Sequence, residues 1–282
     1  MTVDLHTHST ASDGSDSPTE LVEKAAAAGL GLIALTDHDT QEGIEEARVA
    51  ASGCGVELVP GVELSLENEF GGMHLLVLWL PNGNGPLQDR LKGLQMGRES
   101  RNELIVEALN AAGMTITLEE ILEEAGGGSV GRPHIAAVMV ARGHVPDIQT
   151  AFDDWLANGK PAYVGRERLT PEEAIALARE SGGVPILAHP HTLGITSGRI
   201  MADLLTSLKR AGLIGLEALY SSYHQHERDG YEDLARRFEL LPSGGSDYHG
   251  KYKADLDLGS GYGDLSVPQR IVDGLRAFAR LA

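Results

Sequence analysis

The sequence predicts an α/β fold in which short apolar strands form a parallel sheet or a barrel. Two observations predict this class. Over the first 80 residues, strand-like runs alternate with helical segments, and the alternation returns after residue 165. Between these stretches, residues 87–164 show helical periodicity without a convincing strand. We therefore expect one domain from residues 1–86 and 165–282, interrupted by a helical insertion domain of residues 87–164.

The elements of the first half each have a sequence signal. Val3–His8 reads as a strand, and the capping box Ser17-Pro18-Thr19-Glu20 begins a helix that ends at Gly29. Asp39 opens a second helix, as its cap, to about Ser52. The remaining strands of this half are Gly31–Thr36, Val56–Leu66 and Met73–Leu80.

The second half repeats the pattern after a Pro- and Gly-rich loop and the helical stretch. Helices are expected at Pro171–Ser181, at Arg199–Arg210 and in the final "VPQRIVDGLRAFARLA". Strands are expected at Val184–His189, at Leu213–Leu219 and before "GGSDYHG".

Composition limits the classes of function. A net charge of −18 argues against binding long duplex nucleic acid or anionic membranes. The longest apolar run, Met73–Leu80, is too short to span a bilayer. The single cysteine, Cys54, excludes an internal disulfide, and the first residues do not resemble a signal peptide. We expect a cytoplasmic protein, and the oligomeric state stays open.

The first strand ends in a pair of histidines, within "VDLHTHSTASDGSDSP". Side chains alternate across a strand, so His6, His8 and Asp4 share one side. Neutral imidazole is a good ligand for zinc, iron and manganese. Taken alone, the motif fits a metal site and a pair of hydrogen-bonded surface histidines equally well.

The same residue types recur at the ends of the later strands. These residues are His38 in "LTDHDT", Glu63 in "PGVELS", His74 in "MHLLVL", His189 and His191 in "LAHPH", and Asp247 and His249 in "GGSDYHG". Because the carboxyl ends of parallel strands meet at one rim, these side chains should converge. The pattern predicts a site that binds more than one metal ion.

Five motifs, "DLHTHST", "TDHDT", "GVE", "AHP" and "SDYH", resemble in order those of the PHP (polymerase and histidinol phosphatase) superfamily. The "GRPH" and "NGKPAYV" segments resemble its nucleotide-phosphatase branch, which includes AMP phosphatases, 3′,5′-bisphosphonucleotide phosphatases and 5′-exonucleases of short RNA. The resemblance implies a PHP-type distorted (β/α)7 barrel with a helical insertion. His191 is the one departure from the family pattern.

The resemblance also implies two or three divalent ions, as Mn²⁺, Fe²⁺ or Zn²⁺, at three positions. The implied ligands are His6, His8, Glu63 and Asp247 at the first position, Asp13, His38 and His249 at the second, and Glu63, His74 and His189 at the third. Asp4, Asp37 and Asp39 are candidates to accept hydrogen bonds from the ligand imidazoles.

By resemblance, a metal-bridging hydroxide would attack a phosphomonoester, without a serine or cysteine nucleophile. His191 is a candidate general acid. Candidate substrate-binding residues are Arg132, His134, Lys160, Tyr163, Arg98, Arg101 and Glu217. Arg98 and Arg101 fit a solvated helix face equally well.

The expected substrate is a small nucleotide, either AMP or a 3′,5′-bisphosphonucleotide. The alternatives are 5′–3′ exoribonuclease activity on short RNA oligomers and a histidinol-phosphate-type phosphatase. A metal-binding module without turnover is a further alternative, and it would lack at least one ligand. Every implied ligand is present here.

Overall fold

A computed structural model describes residues 2–70, 72–126, 130–165, 167–253 and 255–280, with only the backbone described at positions 98 and 99. Seven strands form one sheet in chain order. They are β1 (Thr2–Thr7), β2 (Leu30–Leu35), β3 (Glu57–Leu66), β4 (Met73–Leu78), β5 (Val184–Leu187), β6 (Gly215–Tyr220) and β7 (Leu241–Gly245).

The sheet curls until its first and last strands meet. The main chain of Asp247 donates to the carbonyl of His6, and that of His8 donates to the carbonyl of Tyr248, both at 2.9 Å. Gly245 makes this approach feasible, because a Cβ there would lie 2.4 Å from the Cβ of His6. The result is a nearly closed seven-stranded barrel, and the predicted α/β barrel class is confirmed.

Strand β4 departs from the expectation of a purely parallel sheet. It pairs antiparallel with both β3 and β5, whereas the other neighbouring strands are parallel. The register places Leu66 opposite Met73 and Gly61 opposite Leu78. Because only six residues separate the two strands, the chain reverses directly instead of crossing over through a helix.

Ten α-helices are described. They are α1 (Pro18–Ala27), α2 (Ile44–Cys54), α3 (Pro86–Ala111), α4 (Leu118–Glu124), α5 (Arg132–Ala141), α6 (Ile148–Ala151), α7 (Pro171–Glu180), α8 (Gly198–Ala211), α9 (Gln225–Arg237) and α10 (Gln269–Ala279). A π-helix follows α6 at Phe152–Leu156, and short 3-10 turns lie at Pro190–Leu193 and Gly250–Tyr252. None of the described helices combines the length and apolarity that crossing a membrane would require.

The capping box at Ser17 is confirmed, since its hydroxyl accepts from the main chain of Glu20 and the Glu20 carboxylate accepts from Ser17. Asp39 does not cap the second helix, which starts later, at Ile44, with Gly43 at its N-cap. The main-chain φ of Asp39 is 57°, and its carboxylate accepts instead from the main chain of Ser65 at 3.2 Å.

Apolar side chains divide between the barrel and the helices that follow β4. Leu87, Leu91 and Leu94 of α3 pack in the cluster beneath β3, β4, α7 and α8. Ile105 and Leu109, further along the same helix, pack in a second cluster with α4 and α5. Helix α3 therefore contributes to both apolar clusters. The change from one cluster to the other falls within this helix and not at residue 87, where the insertion domain was expected to begin.

Candidate metal centre

Histidine and carboxylate side chains converge where β1, β2, β5 and β7 end, within the second half of β3, and where the reversed strand β4 begins. Three overlapping groups have all their candidate ligand atoms within 4.8 Å of one another. The groups are His6, His8, Glu63 and Asp247; His8, Asp13, His38 and His249; and His38, Glu63 and His74. The reversal of β4 explains why His74 joins this rim from the start of its strand.

The first group has the spacing of a tetrahedral ligand set. His6 Nε2 lies 3.1 Å from His8 Nε2, 3.3 Å from Glu63 Oε2 and 3.4 Å from Asp247 Oδ1. His8 Nε2 lies 3.2 and 3.3 Å from the same two oxygens. Bonds of 2.0–2.1 Å to a central ion give tetrahedral edges of about 3.4 Å. These four atoms therefore fit a single ion.

Buried nitrogens without hydrogen-bond partners support the same conclusion. His8 Nδ1 and His38 Nδ1 are buried and lack a partner among the described residues. His38 Nδ1 nevertheless lies 3.2 Å from Glu63 Oε2. Buried polar atoms normally have hydrogen-bond partners. Two buried imidazole nitrogens that lack one therefore indicate that both face the position of a bound ligand. Imidazole and carboxylate without thiolate suit manganese, iron and zinc.

The carboxylates also control the protonation of the histidines. Burial alone would lower the pKa of His6, but Glu217, Glu63 and Asp247 raise it well above its ordinary value. The pKa of His8 rises to about 9 for a similar reason. The same negative field attracts divalent cations, and an ion that binds these nitrogens displaces their protons.

Asp13 reaches the second group from the loop after β1. Its Oδ1 lies 3.4 Å from His249 Nε2, and its Oδ2 lies 3.8 Å from His38 Nε2. Burial lowers the pKa of His38 to about 3, which leaves the imidazole neutral, as a metal ligand must be. At Gly131 a Cβ would lie 2.9 Å from the Asp13 Cβ, so glycine allows the start of α5 to approach the site.

Glu63 lies in the middle of the candidate metal centre. Its Oε2 faces His6, His8 and His38, while its Oε1 lies 2.9 Å from His74 Nδ1 and 2.8 Å from His189 Nε2. His189 therefore lies beside the third group, because it contacts the same oxygen of Glu63 as His74 does. The carboxylate is 1% exposed, and its position suits a ligand shared between ions.

Glu217, which was predicted to contact substrate, lies behind two histidines of the rim. It is fully buried, and its Oε1 lies 3.0 Å from His6 Nδ1. Its Oε2 accepts from the main chain of His189 at 2.7 Å. Both oxygens are therefore used to orient histidines, which is the usual role of a carboxylate behind a metal-binding imidazole.

In the described contacts, Asp4 and Asp37 accept from main-chain and hydroxyl groups of the rim and from no ligand imidazole, which favours the alternative of loop-shaping acids. Asp4 accepts from the main chain of His6, Ser246 and Gly259. Asp37 accepts from the main chain and hydroxyl of Ser9 and from the hydroxyl of Ser12, so it shapes the loop that carries Asp13. Asp39 accepts from the main chain of Ser65 in the same way.

Three rim residues adopt a main-chain conformation that is unfavourable for residues other than glycine. The φ angles are 57° at Asp39, 20° at His189 and 57° at Asp247. Each such residue costs about 1–3 kcal/mol, and such residues cluster at functional sites. Their location at this rim is consistent with a site whose ligand geometry is fixed by the surrounding fold.

Asp247 has two further neighbours, Tyr220 and Lys253. Tyr220 donates to its Oδ2 at 2.7 Å, and the Lys253 ammonium contacts the same oxygen. Burial raises the pKa of Asp247, but Lys253 and the nearby histidines outweigh it and hold the pKa well below its usual range. The carboxylate is therefore ionised.

A cleft of about 120 Å³ opens beside the second and third groups. Its lining includes three candidate ligands and three arginines: Asp13, His38, His74, Arg101, Arg132 and Arg168. Arg101 and Arg132 were predicted to bind substrate, and the structure places both here. Sequence reasoning missed Arg168, whose Nε is buried without a hydrogen-bond partner among the described residues.

The other candidate substrate residues lie elsewhere. His134 is 1% exposed, and its Nδ1 accepts from the main chain of Gly131, so the structure makes it a helix cap instead of an accessible contact. Lys160 is exposed, and neither it nor Tyr163 is among the described residues that line the cleft. Arg98 lies outside the residues whose side chains are described.

His191 lies next to the rim but outside the three groups. Its ring centroid is 6.2 Å from that of His189, and its Nδ1 lies 3.0 Å from the Tyr223 hydroxyl. Partial burial and His189 lower the pKa of His191. The role of His191 as a general acid stays a prediction.

A larger cleft of about 850 Å³ lies between the α1–α2 side of the barrel and helices α3 and α4. Among the described residues that line it, none is a candidate metal ligand. Its lining includes Glu42, Glu46 and Glu103, which would repel an anionic substrate. The smaller cleft is therefore the better candidate for the site of chemistry.

Comparison with known proteins gives the family. The PHP domain model matches residues 4–157. The chain is 37% identical over 246 residues to a 5′-3′ exoribonuclease of Haemophilus influenzae, covering 87% of this chain and 89% of the relative. It is 32% identical over 259 residues to a 3′,5′-nucleoside bisphosphate phosphatase of Chromobacterium violaceum, covering 91% and 90%.

A solved structure shares the whole fold. The crystal structure of a proposed metal-dependent phosphoesterase from Bifidobacterium adolescentis matches with a TM-score of 0.85 at 30% identity, covering 98% of this chain and 95% of that one. The family match, the identities and the shared fold agree with the His and carboxylate cluster described above. The chain therefore belongs to the PHP domain family of metal-dependent phosphoesterases.

Proposed function

We propose that this enzyme hydrolyses phosphomonoesters of small nucleotides, with a 3′,5′-bisphosphonucleotide or AMP as substrate. One observation carries the proposal: a cleft lined by three arginines opens beside the carboxylate- and histidine-rich rim. The planar guanidinium group suits phosphate. Because the protein as a whole carries a net charge of −18, three arginines in one cleft form a distinct site for an anion. The cleft thus offers an anion-binding wall beside a metal-binding rim.

The three groups of rim side chains would hold divalent cations, of which Mn²⁺, Fe²⁺ and Zn²⁺ suit the ligands. The first ion would bind to His6, His8, Glu63 and Asp247, the second to Asp13, His38 and His249, and the third to Glu63, His74 and His189. Bound ions would supply an activated water and neutralise the charge that develops on a phosphoryl group.

Arginine side chains of the cleft would recognise the rest of the substrate. Arg101, Arg132 and Arg168 would bind a phosphate away from the rim, and their charge would offset the repulsion between the substrate and the acidic surface. A nucleotide with two phosphates satisfies both regions at once, because one phosphate can lie at the rim while the other contacts the arginines. We therefore favour the bisphosphonucleotide over AMP.

The second candidate is removal of nucleotides from the 5′ end of short RNA. It is favoured by the 37% identity to a 5′-3′ exoribonuclease. The same arginines would then bind the phosphate that links the first two nucleotides. The helical segment, proposed as residues 87–164, supplies Arg101 and Arg132 in either case, and the barrel supplies the ligands and Arg168.

Phosphate release from a panel of substrates tests the proposal. Purified protein with Mn²⁺ is incubated with 3′,5′-bisphosphoadenosine, AMP, histidinol phosphate and a 5′-phosphorylated RNA oligomer. We expect the highest kcat/KM for the bisphosphonucleotide, because it engages both regions of the site. A gel of the oligomer products detects stepwise shortening.

The controls separate the alternatives. Chelator-treated protein should be inactive and should recover when Mn²⁺ is restored. A ladder on RNA with a higher kcat/KM than any mononucleotide would favour the exoribonuclease. No phosphate release from any nucleotide would contradict the proposal and would leave a metal-binding module or the histidinol-phosphate reaction. A cytoplasmic location stays a prediction.

A further inference from the structure

The two oxygens of Asp247 have different surroundings. Oδ1 faces the candidate ligands, at 3.4 Å from His6 Nε2 and 3.3 Å from His8 Nε2. Oδ2 faces away from this pair and accepts from the Tyr220 hydroxyl at 2.7 Å, while the Lys253 ammonium contacts it as well. The carboxylate is thus used asymmetrically.

Both donors to Oδ2 are held in place. Tyr220 ends β6, is 8% exposed, and packs its ring against that of His189 at 5.5 Å between centroids. Lys253 follows the 3-10 turn at Gly250–Tyr252 and also donates to the main-chain carbonyl of Asp247 at 3.1 Å. Both donors therefore approach Asp247 from elements other than the strand that precedes it.

We propose that Tyr220 and Lys253 are positioning residues that hold Oδ2 of Asp247, so that this carboxylate offers the first ion one oxygen only. The inference rests on the proposed metal ligation. A carboxylate can bind an ion through one oxygen or two, and two fixed donors on Oδ2 favour the first mode.

Binding through one oxygen of Asp247 would leave space around the first ion for water and substrate. Four protein atoms already suit one ion in the first group, so water or substrate would take a fifth position, to which catalytic zinc sites can expand. His6, His8 and Glu63 each direct one atom to the first group, and Asp247 directs a fourth. If Oδ2 also bound, it would occupy room that water or a phosphate oxygen needs. A lysine suits this role better than a second hydroxyl, because its charge competes with the ion for Oδ2.

Three variants test the proposal, with Lys251→Met as a matched control, since Lys251 is an exposed lysine two residues earlier. Metal-free Lys253→Met, Lys253→Arg and Tyr220→Phe proteins are titrated with Co²⁺. The visible absorption of Co²⁺ weakens as its coordination number rises, so it reports how Asp247 binds. Turnover is then measured with Mn²⁺.

We expect Lys253→Met to weaken the Co²⁺ absorption and to lower kcat about 10-fold or more, with KM little changed. Lys253→Arg keeps the cation and should retain both properties, and Tyr220→Phe should show the same spectral change more weakly. Lys251→Met should match the unmodified protein.

An unchanged spectrum and kcat in Lys253→Met would overturn the proposal. So would a raised KM with unchanged kcat and spectrum, because that result would make Lys253 a contact of the substrate. The spectrum needs no substrate. If the unmodified protein released no phosphate from nucleotides, the proposed function would fail, but the Co²⁺ comparison would still decide the role of Lys253.

Discussion

The rim and the arginine wall of the cleft are built in opposite ways. Rim side chains such as Glu63 and Asp247 are almost fully buried, come from strand ends, and are each oriented by neighbours. The wall uses side chains of helices α3 and α5 and of the segment before α7; Arg101 is buried, whereas Arg132 and Arg168 are only partly buried. We therefore expect rim residues to control metal binding and turnover, and wall residues to control substrate affinity.

The largest effect should follow replacement of Glu63, which contacts five histidines. Glu63→Gln removes one charge at the centre of the rim. At about 4 Å and an effective dielectric constant of about 20, one unit charge contributes about 4 kcal/mol. We expect Mn²⁺ affinity to fall about 10³-fold, as measured by isothermal titration calorimetry.

Glu67→Gln is the matched control, because Glu67 is exposed just beyond the end of the same strand. It should bind Mn²⁺ like the unmodified protein. Equal affinity in both variants would show that the rim does not bind metal through Glu63, and the contrast between rim and wall would then lose its basis.

Glu217→Gln tests the corrected role of the buried carboxylate behind His6. The substitution keeps the size of the side chain but weakens its hold on the imidazole. Loss of such a partner typically costs about 10–100-fold in metal affinity or activity. We expect kcat to fall in that range with KM unchanged. A selective rise in KM would instead restore the predicted contact with substrate.

Arg168→Met tests the wall. A hydrogen bond between charged groups contributes about 1.5–3 kcal/mol, so KM should rise about 10–100-fold while kcat and Mn²⁺ affinity stay close to the original values. Arg199→Met is the control, because Arg199 is 92% exposed on α8. A fall in Mn²⁺ affinity in Arg168→Met would contradict the separation of roles.

The smallest expected effects are on the free energy of unfolding. Two substitutions test whether the rim and the wall unfold in one transition. Ser17→Ala removes a helix cap in the barrel, and Thr117→Ala removes the equivalent cap of α4. Each should lower the free energy of unfolding by about 1 kcal/mol, measured by urea denaturation. Because α3 packs in both cores, we expect one transition that both variants shift. Two separate transitions would contradict this coupling.

Much of the rim could be predicted because metal ligands are restricted to a few residue types and strand ends in such folds converge. His6, His8, His38, Glu63 and His74 converge in the described structure, and their role as metal ligands stays a prediction. The direction of β4 was missed, although the six residues between Leu66 and Met73 are too few for a helical crossover and already favour a direct reversal. The antiparallel pairing register shows the reversal directly.

The residues that orient the site were harder to predict. Glu217 lies in an apolar run, and nothing in the sequence shows that it faces His6 instead of the cleft. Arg168 and Lys253 belong to residue types that are common on any surface, and their position depends on contacts distant in the chain. Asp4 bonds to Gly259, 255 residues away, and local sequence patterns carry no information about such pairs.

The reversal of β4 also bears on the order in which the centre forms. Glu63 and His74 are 11 residues apart on one hairpin, whereas His6 and Asp247 meet only when the first and last strands close the barrel. Contacts between nearby residues form faster because less chain entropy is lost. During synthesis, the hairpin pair can therefore form while most of the chain is still unmade. A fragment ending before β7 retains that pair but lacks Asp247 and His249, so premature termination yields no complete first or second metal site.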